Sequence, residues 1–136
     1  MPTAGYSGTP LVKKLGIKSG YKVRIVNEPE GYWDWISPVP EEVVLSRSSK
    51  NGFDFIHLFV KQEKNFKKEF LKLKKDLRKT GMLWVSWPKK SSKAPSDLDE
   101  GIIRNYDLAN GLVDVKVCAV DEVWSGLKFM YRTKDR

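Results

Sequence analysis

The apolar residues of this chain repeat in two rhythms, and the switches between them mark its elements. Phe66, Phe70, Leu73 and Leu77 recur at steps of 4, 3 and 4, one stripe of an amphipathic helix expected over 63–79, with Gly81 as its stop. Ahead of it, "FDFIHLFV" at 53–60 is apolar almost throughout, the composition of a central strand covered on both faces. Along that strand Phe55, His57 and Phe59 share one face, and Ile56 and Leu58 the other. "YKVRIVN", with Val23, Ile25 and Val26, reads as an earlier strand, and "VVLS" at 43–46 as a short one. "MLWVSW" is the strand after the long helix. Leu98, Ile102, Tyr106 and Ala109 form the apolar face of a further helix, capped by Ser96 or Asp97 and closed by Gly111. "LVDVKVCAV" and "LKFMYR" are strands joined by "DEVWSG", a link too short for a helical crossover. They therefore form an antiparallel hairpin, which adds an antiparallel edge strand. At the front, Thr9 as N-cap and Pro10 open a short helix over 9–15 that ends at Gly16. Pro29 opens another, which Pro38 and Pro40 keep short.

Strands alternating with helices predict an α/β fold: a compact, Rossmann-like, three-layer domain over 1–136. Its sheet is expected to be mostly parallel, with a C-terminal antiparallel hairpin. Residues 1–8 are expected to be a flexible lead.

Composition narrows the classes of function. Apolar residues are 40% and charged residues 31%, a globular balance. No apolar run reaches the length of a membrane span, and "MPTAGYSGTP" lacks the regions of a signal peptide. One cysteine, Cys118, and one histidine, His57, leave no disulfide framework, cysteine zinc cluster or His-rich metal site. The expectation is a cytoplasmic, metal-free protein with no membrane contact. The formal net charge is +8, and residues 61–79 alone carry nine Lys/Arg against three Asp/Glu, a net +6. Most of the excess therefore sits on one helix, where Lys68, Lys72, Lys75 and Lys79 share a face able to meet phosphates.

The second half, "FDFIHLFV … GMLWVSW … GLVDVKVCAV … LKFMYR", resembles the C-terminal half of Rossmann-like class I methyltransferases, and "LGIKSGYKVRIVN" resembles the lead into their first strand. "TAGYSGTPLVKKLGIKSG", "GMLWVSWPKK" and "GLVDVKVCAVDEVWSGLKF" also resemble a family of small bacterial proteins known only as a domain of unknown function. The first resemblance implies a nucleotide-type cofactor site; the second implies no activity.

Three features count against a cofactor. The turn after the first strand, "NEPEGYW", has one glycine, a proline and bulky aromatics instead of G-x-G-x-x-G. The strand at 43–46 ends in Ser46 and Arg47, not in the acid that would hold ribose hydroxyls. Only 26 residues, 27–52, separate the first strand from the central one, so a strand–helix unit has been lost or compressed. The expectation is no cofactor, with S-adenosylmethionine disfavoured.

Ligands of open parallel sheets bind beyond the C-terminal ends of the strands. The loops there bring together Asn27, Glu28, Tyr32, Trp33, Trp87, Lys89, Lys90, Asp121, Glu122 and Trp124. The tryptophans are candidates for stacking walls, and Lys89 and Lys90 for an anion contact. Paired acids, Glu28, Glu30 and Asp34 or Asp121 and Glu122, read as helix and turn complements more than as catalytic groups. His57 lacks a carboxylate partner, because Asp54 faces the opposite way, and reads as buried and hydrogen-bonded; Cys118 reads as a buried thiol. The leading function is a non-catalytic module that binds a small ligand or a protein partner at this edge. The alternatives are a minimal, degenerate S-adenosylmethionine-dependent methyltransferase and a weak nucleic-acid binder using the basic helix.

Overall fold

A computed structural model describes residues 9–136; the expected flexible lead, residues 1–8, lies outside the described residues. The chain runs α1 (Leu11–Leu15), β1 (Lys22–Val26), α2 (Tyr32–Trp35), β2 (Val44–Leu45), β3 (Phe53–Phe59), α3 (Glu63–Asp76), β4 (Leu77–Pro88), α4 (Glu100–Ala109), β5 (Leu112–Ala119) and β6 (Trp124–Tyr131). The strands form a six-stranded sheet in the order β2-β1-β3-β4-β6-β5. β1 pairs with β2 and β3, and β3 with β4, all in parallel; β6 is antiparallel to both its neighbours. The α/β, Rossmann-like fold is as the alternation of elements predicts. The hairpin is placed differently: β6, the last strand, inserts between β4 and β5, so the antiparallel strand is interior and β5 is the edge. Loop length dictates that β5 and β6 pair, but not which of them meets β4.

The sheet divides the core in two. α3 and α4 cover one face, with Phe66, Phe70, Leu73 and Ile103 packed on Ile56, Leu58, Leu83 and Leu127. α1 and α2 cover the other, with Leu11, Leu15, Tyr32 and Ile36 on Phe55, Phe59 and Trp84. β3 supplies both cores because its side chains alternate faces. α1 is short and starts after Pro10, the N-cap residue in place of Thr9; Gly16 ends it in the left-handed conformation at φ 91°.

The long helix stops earlier than its stripe suggests. α3 ends at Asp76, and Leu77 is already extended and paired with Phe53. Pairing then resumes at Phe55 with Met82, so residues 78–81 bulge from β4. Arg78 holds the bulge through an ion pair with Asp54 at 2.9 Å and a bond from Nε to the Asn51 carbonyl at 3.0 Å. Sheet pairing overrides the local helix preference of Leu77, Arg78 and Lys79. Gly81 is consequently no helix stop. It is a glycine because a Cβ there would sit 2.7 Å from the Phe53 carbonyl oxygen and 3.0 Å from Leu77 Cδ1. Gly81→Ala is expected to cost roughly 1–3 kcal/mol through this overlap, read as a lower urea midpoint with unchanged slope; an unaltered midpoint would mean that the bulge yields freely.

Helix α4 begins at Glu100, with Asp99 as N-cap, its Oδ1 accepting from the Ile102 amide at 2.9 Å. Its buried face is Ile103 and Asp107, with Ile102 and Tyr106 at the margin; Ala109 is exposed. Among the described residues no helix is long and apolar enough to cross a membrane.

Candidate functional site

The chain leaves β1 for β2 on one side and returns to β3 on the other, so the strand order reverses between β1 and β3. Parallel sheets open a crevice at such a point, beyond the C-terminal strand ends. A cleft of about 690 Å³ lies there. Asn27 and Pro29 after β1, Phe59 at the end of β3 with Val60 to Gln62 after it, Asn65 on α3, the loop at 95–97 and Trp124 line it.

Local bonding builds its walls. Asn27 takes a left-handed conformation at φ 60°, and its Nδ2 reaches the Phe59 carbonyl at 3.4 Å, tying the ends of β1 and β3 together. Asparagine is among the few side chains that tolerate this geometry. It turns the chain where cofactor-binding folds use glycine, so the missing glycines do not close the crevice. The loop at 95–97 is drawn in by α3: Asp97 Oδ1 accepts from the Glu63 amide at 2.6 Å, and Ser96 Oγ donates to the Lys61 carbonyl at 2.6 Å. Asp97 thus caps α3 across 34 residues of chain, in place of the expected cap on α4.

Phe59 and Trp124 meet edge to face, centroids 5.0 Å apart, and give the cleft its aromatic floor. Behind Phe59 lies a polar chain. His57 stacks on Phe59 at 4.2 Å, and its Nδ1 and Nε2 are bonded to the Tyr32 hydroxyl at 2.9 Å and Ser86 Oγ at 2.7 Å. All three residues are buried. Burial pushes the imidazole down to about 3. It raises the Tyr32 hydroxyl well above its usual range, with the Glu28 charge adding to the rise. With both ring nitrogens engaged, His57 is a neutral structural group that ties α2 to β3 and β4, and no base.

Of the residues expected at this edge, Asn27 and Trp124 line the cleft. Glu28 is exposed beside it, and Tyr32 is buried beneath it. Trp33, 39% exposed, faces a separate cavity of about 220 Å³ with Leu45 and Ser46. Trp87 belongs to the core on the α3 side. The expected tryptophan walls therefore do not form, because one ring is core and another lies over β2. Lys89 and Lys90 lead into a 3-10 turn at Lys90–Ser92 and do not line the cleft. Asp121 serves its own hairpin, its Oδ1 accepting from the Val123 and Trp124 amides at 2.9 and 2.7 Å, and Glu122 is exposed. Phe59, Gln62, Asn65 and Asp97 line the cleft without being among the expected site residues. The signal for them was the strand-end position of Phe59 and the polar run after it. Lys68, Lys72 and Lys75 are exposed on α3, but Lys79 lies in β4 with its Nζ 4.1 Å from the Tyr131 ring centroid, off their face.

No protein-family model matches the sequence, and comparison with curated proteins gives no match. The resemblance to a family of small bacterial proteins of unknown function is therefore unsupported. Solved structures do match. A S-adenosylmethionine-dependent methyltransferase from Aquifex aeolicus aligns at a TM-score of 0.61 and 16% identity, over 90% of this chain and 88% of its own. A ribosomal protein L11 methylase from Lactobacillus delbrueckii subsp. bulgaricus aligns at 0.58 and 12% identity, over 90% and 75%. Magnesium protoporphyrin IX methyltransferase from Synechocystis PCC 6803, solved with S-adenosylmethionine bound, aligns at 0.59 and 9%, over 90% and 74%. At these identities the likeness is one of fold, and the fold is that of the methyltransferases. It corrects the expectation of no cofactor: a neighbour that aligns over nearly the whole chain carries one.

Proposed function

We propose that this chain binds S-adenosylmethionine in the β1/β3 cleft and acts as a minimal methyltransferase. The observation that carries the reading is the cleft's position, at the reversal of strand order in a methyltransferase-type sheet. Its volume, about 690 Å³, lies within the range of ligand pockets. The lining also fits the group. Phe59, 2% exposed, and Trp124, 8% exposed, give the cleft a packed apolar base for the carbon skeleton of such a ligand. Asn27 Oδ1, Asn65 Oδ1 and the second oxygen of Asp97 carry no hydrogen bond among the described residues and can accept from ribose or ammonium groups. The chemistry the cofactor supplies is an electrophilic methyl group on sulfur. The chain's own part is to hold it, to favour its positive charge through Asp97, and to exclude water behind Phe59. This puts the enzyme ahead of the non-catalytic module expected from the sequence.

Calorimetric titration with S-adenosylmethionine and its demethylated product tests the proposal. Asp97→Asn keeps an oxygen to cap α3 and removes the charge. It is expected to weaken S-adenosylmethionine about tenfold, roughly 1.4 kcal/mol, while the melting temperature stays put. Absence of heat and of any melting shift with both compounds at millimolar concentration sinks the proposal.

A further inference from the structure

A second cleft, of about 400 Å³, lies between α1 and the outer edge of the sheet, lined by Lys13, Lys14, Lys116 and the last residues of β5, Val117 to Ala119. Lys116 Nζ reaches over it to the Lys14 carbonyl at 3.1 Å. Lys128, on the neighbouring strand, places its Nζ beside Gly16, 3.5 Å from where a Cβ would stand. Lys18 follows α1. The charges feel one another: burial first, then Lys116 and Lys18, lower the Lys128 ammonium, and Lys14 and Lys116 draw down the Cys118 thiol against the rise that burial imposes.

Among the described residues none of these lysines forms a salt bridge. Like charges gathered around a concave surface without counter-charge disfavour the free protein and favour a bound polyanion. We propose that this lysine cleft is a docking site for the phosphate backbone of a nucleic acid, which makes nucleic acid the methyl-acceptor class; the second half of the statement rests on the methyltransferase reading above.

Two features select a phosphate chain over a single phosphate. The amines are spread from Lys13 through Lys18 to Lys116 and Lys128, along two strands, a helix and the loop after it, and among the described residues no arginine lines the cleft. The cleft also opens at Ala119, toward the sheet edge that holds the cofactor cleft. The hairpin turn after Ala119 leads directly to Trp124, which lines the β1/β3 cleft, so one strand can lie on the lysines and reach the methyl-transfer site. This face is opposite the α3 lysines, across the sheet.

The test is fluorescence anisotropy with a labelled RNA single strand and a DNA duplex over a salt series. Two variants remove the same number of charges from the same +8 total: Lys13→Gln/Lys14→Gln/Lys18→Gln on α1 and the loop after it (the α1 variant), and Lys68→Gln/Lys72→Gln/Lys75→Gln on α3. Wild type is expected to bind at about 50 mM salt, the α1 variant to lose at least about tenfold with a log–log salt slope shallower by about 2, and the α3 variant to stay within about twofold. Lys116→Gln/Lys128→Gln, carried by strands, is expected to repeat the loss if the α1 variant melts early. Equal losses in the two triple variants, a larger loss from α3, or binding only to tripolyphosphate or to anionic phospholipid vesicles would overturn the proposal. Calorimetry with S-adenosylmethionine on the α1 variant separates the two readings: it is expected to match wild type, and a wild type that binds nucleic acid but no cofactor fails the methyltransferase reading alone.

Discussion

Trp84→Ala is expected to remove about 3–5 kcal/mol of stability, and to lower the melting temperature by roughly 10–20 °C. Trp84 is wholly buried at the centre of β4, among the largest side chains of the core on the α1 side. Its indole Nε1 donates to the Leu15 carbonyl at 2.7 Å, at the last residue of α1. α1 is only five residues long, too short to persist without tertiary packing. The indole therefore does two things: it fills volume and satisfies an orphan helix carbonyl. Trp84→Phe separates them, since it keeps an aromatic ring and leaves the carbonyl unpaired, and should cost about 1–3 kcal/mol of the total. The consequence reaches function, because α1 carries Lys13 and Lys14. A destabilisation under 1 kcal/mol for Trp84→Ala by urea titration would mean that α1 is not docked as described.

Side-chain rhythm made much of this fold legible. The apolar run of β3 and the stripe on α3 report burial directly, since burial on two faces or one is what those patterns are. Contacts between distant residues were not legible. Nothing local tells that Leu77 will leave the helix to pair with Phe53, or that Asp97 will cap a helix that starts at Glu63. The cleft was half legible for the same reason. Strand ends located Asn27, but the turn was judged by its lack of glycines, and an asparagine at φ 60° performs the same backbone task. Aromatic residues misled in the other direction. Trp33, Trp87 and Trp124 all stand near strand ends, and only register and strand order decide which ring faces a core, a cleft or solvent.

Wild type is expected to lose stability between pH 6.5 and 9, and Asp107→Asn to abolish most of that fall. Asp107 occupies the inner face of α4, one turn from Ile103, and is fully buried; neither carboxylate oxygen has a hydrogen-bond partner among the described residues. Desolvation pushes this carboxyl from 3.8 up to about 9, so it is protonated at neutral pH. The folded state then holds a proton that the unfolded chain has released. Its contribution is full below about pH 4, declines as pH rises, and is gone above about 9. His57 works in the opposite sense and at lower pH. Its depressed value favours the fold above 6.5 and is lost as pH falls toward 3. The two slopes oppose each other below pH 6.5, which leaves the limb between 6.5 and 9 mainly to Asp107, at up to about 1.4 kcal/mol per unit; the raised Cys118 thiol adds to it and the lowered Lys128 ammonium opposes it only toward its alkaline end. Asparagine keeps the shape of the side chain and cannot ionise, so urea titrations at pH 7 and 9 should give the variant nearly equal stabilities and place it above wild type at pH 9 by about 1–3 kcal/mol. If the variant keeps the wild-type slope, the carboxyl is ionised in the fold and some partner must neutralise it. The stakes extend to the cleft, because α4 follows directly on the loop at 95–97, and whatever loosens α4 frees the wall that presents Asp97.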